Sequence, residues 1–303
     1  MINIMMKTKY LFIGMATLMM AACSNDENVP QVNDGRVAVS FAGEVTLTRA
    51  TTDAWEADDG IGIYMLEHGT TAVADGAANR KYVTTAGDGK FTPAGVEQTI
   101  YFPLSADEKV DFVAYCPQTD LTGNIYKVDV SNQKNPAHID LLRSDNATGK
   151  DKNTKTVDLK FFHRLSRVEV KLTAGEGVSD AELAGMSITL GKQPVEADFN
   201  VLQNTLSAGK NLATLTLNTA ADGKTASAII LPQEGASGRS LKLTLAGGTV
   251  LTWSVEASRT FEQGKKTVFN ITLKRTPVGT DVVVNTTIQP WGTQGTVSGD
   301  LEI

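Results

Sequence analysis

Short runs rich in Val, Thr, Ile and Phe recur every 8 to 15 residues along this chain, separated by Gly, Asp, Asn and Pro. Period-2 alternation puts one set of side chains on each face of a strand, and strong helical periodicity is scarce. The expectation is an all-β chain. Runs at 37–41, 61–65, 99–102 and 110–115 open the series. Gly87, Asp88 and Gly89 supply the left-handed backbone that a tight hairpin turn needs. Pro103 and Pro117 each close a run, because proline cannot donate to a ladder. Residues 134–153 are polar and charged, and read as a long surface excursion carrying one short strand at 138–142. Runs at 157–161 and 168–172 alternate apolar with charged residues, as in a sheet with one wet face. Residues 175–180 read as a connector, which puts a domain boundary near residue 173. Further runs follow at 186–190, 213–217, 228–231, 241–245, 267–273, 281–285 and 286–288, and 295–303 forms a last short strand. This spacing favours β-sandwich architecture.

The N-terminus sets the compartment. Lys7 and Lys9 precede an apolar run from Tyr10 to Ala22 that ends in small residues before Cys23. Those 13 residues are too few for a membrane helix, which needs about 20, so residues 1–22 read as a secretory signal. Met20, Ala21, Ala22 and Cys23 resemble the lipobox of bacterial lipoproteins, which implies that Cys23 is acylated and becomes the new N-terminus; the same small residues also suit a general signal peptidase. Residues 24–28 form a short acidic stretch similar to the surface-export tag of Bacteroidetes lipoproteins, and the same composition would serve as a solvated tether.

With Cys23 lipidated, Cys116 is the only remaining thiol, so no internal disulfide is possible and stability rests on the core. Hydrophobic residues make up 41% of the chain, enough for two ordinary cores. A net charge of −6 without a basic stripe argues against nucleic acid as a partner. His68, His138 and His163 lie in different elements, without the spacing of a metal site. Cys116 ends an apolar run beside Pro117, as a buried small hydrophobe would. The adjacent carboxylates Asp58 and Asp59, and Asp107 and Glu108, sit in turns, where the geometry itself favours them over a glycosidase pair. No catalytic residue, metal ligand or cofactor is assigned, and the chain reads as a non-enzyme. Trp55, Trp253 and Trp291 lie in or beside strands, as core or rim residues do.

Four stretches carry a resemblance to one family. Val39, Ser40 and Phe41 lead to Leu47, Thr48, Arg49 and Ala50, then to Trp55 and to residues 59–65, Asp-Gly-Ile-Gly-Ile-Tyr-Met. Residues 112–117 read Phe-Val-Ala-Tyr-Cys-Pro, residues 159–170 contain Phe-Phe-His-Arg-Leu-Ser-Arg, and residues 264–273 together with 288–291 close the pattern. The chain resembles the fimbrillins of the Bacteroidetes, the FimA-like and Mfa-like pilus proteins; Asp59-Gly60 inverts the Gly-Asp order usual there. The resemblance implies two tandem transthyretin-like β-sandwich domains, at 50–173 and 174–303, after a lipidated segment and first strand at 23–49. It also implies an outer-membrane, surface-exposed lipoprotein that becomes part of a fimbrium.

Assembly in such a family implies an arginine-specific protease that cuts between Arg49 and Ala50 and removes the first strand. The slot so opened would take an extended strand from another subunit, head to tail. The donor implied is 295–303, with Thr296, Val297, Leu301 and Ile303 as the pocket-filling side chains. Its alternation breaks at Ser298, Gly299 and Asp300, which leaves open that it completes its own domain, as in a tip subunit. Anchor subunits retain the segment up to Arg49, so stalk, tip and anchor roles stay open, as does the receptor on a host or bacterial surface. The alternative function is a monomeric surface glycan-binding lipoprotein.

Overall fold

The computed structural model describes residues 35–45, 55–235, 237–276 and 279–290. Its N-terminal strands are β1 (Phe41–Val45), β2 (Asp59–Glu67), β3 (Arg80–Thr84), β4 (Lys90–Pro93), β5 (Val110–Cys116), β6 (Ile125–Asp129), β7 (Leu142–Lys150) and β8 (Val157–His163). Seven of these close into a barrel in the order β1-β4-β3-β2-β5-β7-β8, and the ring shuts where β1 lies parallel to β8. The remaining strands are β9 (Ser166–Ala174), β10 (Ser187–Asn200), β11 (Thr205–Leu206), β12 (Lys210–Thr216), β13 (Asn218–Thr219), β14 (Thr225–Ile230), β15 (Ser240–Thr244), β16 (Val250–Ser254), β17 (Lys265–Thr276) and β18 (Gly279–Pro290). They form two sheets. One follows β11-β10-β15-β16 with β12 and β6 also paired to β10, and the other follows β13-β14-β9-β17-β18. The chain is all-β.

Two apolar clusters explain the sequence patterns. The barrel is filled by Phe41, Ile61, Ile63, Met65, Tyr82, Phe91, Phe112, Leu159 and Phe161 among others. The second cluster joins the two sheets, with Ile188, Leu190, Leu241 and Leu243 from one and Val168, Val170, Phe269 and Ile271 from the other. Strands β2 and β5 serve both: Ile63 and Phe112 face the barrel, whereas Tyr64, Val113 and Tyr115 face the second core. Burial on both faces is why these two strands read as continuous apolar runs. By contrast, β8 alternates buried and exposed along its whole length, because only one of its faces meets a core.

The barrel and the second core are joined in one unit. Strand β6, from the N-terminal part of the chain, pairs with β10, with Phe199 opposite Tyr126 and Ala197 opposite Val128. The Arg143 guanidinium, in β7 and 3% exposed, donates through Nε to the Val201 carbonyl at 2.6 Å and also binds Asp145.

Several local expectations are corrected. Residues 134–153 are not a surface excursion with a strand at 138–142. They hold a single helical turn, Pro136–Ile139, and the nine-residue β7. Their polar side chains are consumed locally: Asn146 donates to the Asp158 carbonyl at 2.9 Å and accepts from the Lys160 N–H at 2.7 Å. Backbone pairing with β5 then supplies the ladder that side-chain hydrophobicity does not signal. The run at 37–41 becomes strand only from Phe41, because Val37 and Val39 bond instead to the extended segment around Tyr101. That segment, read as a strand at 99–102, makes one isolated bridge, Ala38 to Tyr101.

Candidate assembly site

The site residues assigned from sequence, Cys23, Arg49, Ala50, Thr296, Val297, Leu301 and Ile303, lie outside the described residues, as do Trp291 and the donor segment 295–303. The structure does describe the position of the first strand.

Strand β1 is a stave of the barrel. It runs parallel to β8 in the register Phe41 to Val157, Gly43 to Leu159 and Val45 to Phe161, and antiparallel to β4 with Phe41 opposite Phe91. Its carbonyls and amides are spoken for on both sides: the Gly43 N–H donates to the Gly89 carbonyl at 2.8 Å, and the Val157 N–H to the Ser40 carbonyl at 2.8 Å. Phe41 is 2% exposed and packs edge-on against Tyr82 and Phe112, with ring centroids 5.1 and 5.2 Å away. On the outer face, Glu44 lies opposite Lys160, their charged groups 3.9 Å apart.

Gly43 is a point of close approach within β1. A Cβ there would stand 2.8 Å from Phe91 Cε2, 3.1 Å from Phe161 Cε2 and 3.4 Å from Trp55 Cζ2. Trp55 stacks edge-on against both of those rings and donates its indole N–H to the Gly43 carbonyl at 2.7 Å. The three aromatics therefore occupy the space that a side chain at position 43 would use. An isolated glycine inside an alternating run is the one local sign of this close approach in the sequence.

Other residues weighed from sequence have structural employment. Trp55 and Trp253 each pack edge-on against a phenylalanine, Trp253 against Phe269. Cys116 is buried, and burial pushes its thiol well above the ordinary value, with Asp59 and Asp140 acting in the same direction. His68 Nδ1 lies 2.8 Å from Asp111, and His163, 6% exposed, lies 2.9 Å from Asp140. Asp58 has a left-handed backbone and Asp59 accepts from the Glu56 N–H at 2.8 Å, both turn roles. Among the described residues, no three His, Cys, Asp or Glu side chains gather as a metal site.

Comparison with known proteins bears on this arrangement. A family model described as fimbrillin-like matches residues 48–291. The chain is 38% identical over 305 residues to the candidate fimbrium subunit Fim1C of Bacteroides uniformis, covering 95% of this chain and 97% of that protein. The fold is similar to the crystal structure of a candidate cell adhesion protein from Bacteroides uniformis, with a TM-score of 0.73 and 36% identity over 85% of this chain and 100% of that one. It is also similar to a candidate cell adhesion protein from Bacteroides ovatus, with a TM-score of 0.70 over 86% and 99% of the two chains; at 20% identity this likeness concerns the fold alone. An all-β chain that builds its first strand into a barrel stave and matches these relatives over nearly its whole length belongs to the fimbrillin-like family.

Proposed function

We propose that this chain is a fimbrial subunit, of stalk or tip, that is exported as a lipoprotein through Cys23, displayed on the outer membrane and assembled by strand exchange, with cell adhesion as its output. Residues 50–173 and 174–303 are two tandem transthyretin-like sandwiches in this reading, with β2, β5, β6 and β9 of the first part also packed into the second core. An arginine-specific protease cuts between Arg49 and Ala50. The strand that leaves is β1, and the segment 295–303 of another copy takes its place.

The observation that carries the reading is the position of β1 between β4 and β8. Its loss would turn both neighbours into open edges and uncover Phe91, Phe112 and Phe161, which are at most 3% exposed with β1 in place. An apolar groove flanked by unpaired backbone is a template for an incoming strand. Because donor and slot are different surfaces of one chain, the contact is heterologous and propagates as a fibre.

The test is digestion of the purified 24–303 protein with an arginine-specific protease, followed by N-terminal sequencing and a denaturant-resistant gel. A new terminus at Ala50 with a ladder of higher species is the expected result. Resistance at Arg49, or cleavage that never yields ladders with any fimbrial partner, would sink strand exchange for this chain.

A further inference from the structure

The tail repeats the pattern of the strand it would replace. Residues 41–45 read Phe-Ala-Gly-Glu-Val, and residues 297–301 read Val-Ser-Gly-Asp-Leu. Position by position, both are apolar, small, glycine, acidic, apolar. The match continues in the sequence two residues on, where Leu47 corresponds to Ile303. The break in alternation at Ser298, Gly299 and Asp300 is thus the same break that β1 carries at Ala42, Gly43 and Glu44.

The slot explains why each step of that pattern is needed. Position 41 fills a buried site between Tyr82 and Phe112. Position 43 has no room for a side chain beneath Phe91, Phe161 and Trp55. Position 44 faces outward, opposite Lys160. Resting on the strand-exchange reading above, we infer that the donor segment of a second copy enters in one register, parallel to β8, with Val297 at the place of Phe41, Gly299 at that of Gly43, Asp300 opposite Lys160 and Leu301 at the place of Val45.

Alternative registers fail on the same geometry. A slip of one residue turns the apolar set to the wet face. A slip of two drives Val297 or Leu301 into the aromatic trio, where a Cβ already meets a ring carbon of Phe91 at 2.8 Å. Placing Gly295 under the trio, a slip of four, puts Thr293 in the Phe41 site and Gly299 at the Leu47 position, and leaves Lys160 facing Thr296 instead of an acid. Gly299 is the residue that satisfies all the positions together. Trp55, whose indole N–H holds the Gly43 carbonyl, would hold the Gly299 carbonyl after exchange.

The experiment mixes two populations of full-length mature protein, one carrying Lys160→Cys and the other carrying Ser298→Cys, Asp300→Cys or Glu302→Cys, so that only contacts between copies count. After arginine-specific cleavage and assembly, mild oxidation should cross-link the Asp300→Cys partner, whose Cα lies on the neighbouring strand about 5 Å away, within disulfide reach. Gly299→Leu should reduce ladder yield about tenfold or more, by the overpacking it forces, while Gly295→Leu should assemble normally. If cleaved wild-type protein forms no ladders, alone or with any fimbrial partner, strand exchange itself is wrong. Ladders that cross-link through Ser298→Cys or Glu302→Cys, that cross-link through none of the three, or that tolerate Gly299→Leu would overturn the register and leave exchange standing.

Discussion

Replacing Phe41 by alanine tests how much of the barrel depends on β1. The ring is 2% exposed and touches Tyr82 and Phe112 edge-on. Removing it forfeits the transfer free energy of a buried aromatic, about 2 to 3 kcal/mol. It also leaves a cavity of roughly 100 Å³, which at about 24 cal/mol per Å³ adds about 2 kcal/mol when the walls cannot close in. The walls here are held: β1 is bonded to β8 on one side and β4 on the other, and Tyr82 is fixed by its hydroxyl, which accepts from the Ile100 N–H at 2.8 Å. The expected loss is therefore about 4 kcal/mol. Urea unfolding of the 24–303 protein, followed by tryptophan fluorescence, measures it. Val37→Ala is the control, because that side chain is 40% exposed, and it should shift stability by less than about 0.5 kcal/mol. A loss below about 1 kcal/mol for Phe41→Ala would refute the claim that this side chain is a structural part of the barrel.

Three further substitutions probe parts of the fold that the same physics makes sensitive. Gly62→Ala places a Cβ 2.3 Å from Tyr115 Cε1 and 2.5 Å from Asn79 Oδ1, and should cost about 1 to 3 kcal/mol; Gly60→Ala, whose nearest neighbour is 3.6 Å away, should be close to neutral in the same urea titration. Gln133→Ala removes a 5% exposed amide that donates to the Val130 and Ile229 carbonyls at 2.6 and 2.8 Å and accepts from the Ile229 N–H at 2.9 Å, and should cost about 2 kcal/mol by calorimetry. Asp111 ties three segments together by accepting from Gly69 N–H, Gly149 N–H and His68. Burial pushes its carboxyl up, but those hydrogen bonds outweigh it and hold the group below the usual carboxylate value. The unfolded state then binds the proton more tightly, so this stabilisation is fully present above about pH 4 and is lost as pH falls through the lowered value. Asp111→Asn should accordingly cost about 2 kcal/mol at pH 7, and the gap from wild type should narrow below pH 4 in urea midpoints measured across pH. A gap constant with pH would show that the carboxylate charge has no part in it.

How far the fold was legible varied strand by strand, for physical reasons. β2 and β5 were readable because both faces are buried and composition alone marks them. β8 and β9 were readable because one face is wet and the period of two survives. β7 was hidden, since its buried residues include Arg143 and Ser144, whose polar groups are met by the Val201 carbonyl, far away in sequence, and by Asn146 of the same strand. β10 extends beyond the run at 186–190 to Asn200, through Gly191, Lys192 and Pro194, with a register shift against β12 that absorbs the irregular residues. The family was legible because its motifs span the chain. At Gly43 the sequence shows only a glycine inside an alternating run; what it approaches is not legible, because Phe91, Phe161 and Trp55 are connected to it by no local pattern.

The proposed exchange also has to run forward, although in the inferred register the donor would offer Val297 where β1 has Phe41. Cleavage supplies the asymmetry. While the chain is intact, β1 is tethered to its own slot at an effective concentration of the order of millimolar. Once cut, the same strand is a free peptide competing at the micromolar concentration of the protein. That drop of about a thousandfold is worth about 4 kcal/mol to the rival strand, enough to offset a smaller side chain in the Phe41 site. It follows that restoring the lost concentration should stop assembly. A synthetic peptide of residues 36–49, added at about 1 mM to freshly cleaved protein, should suppress ladder formation, while a scrambled peptide should not and one carrying Phe41→Ala should do so only weakly. Equal ladder growth with and without the native peptide would mean that the slot of β1 is not where subunits join.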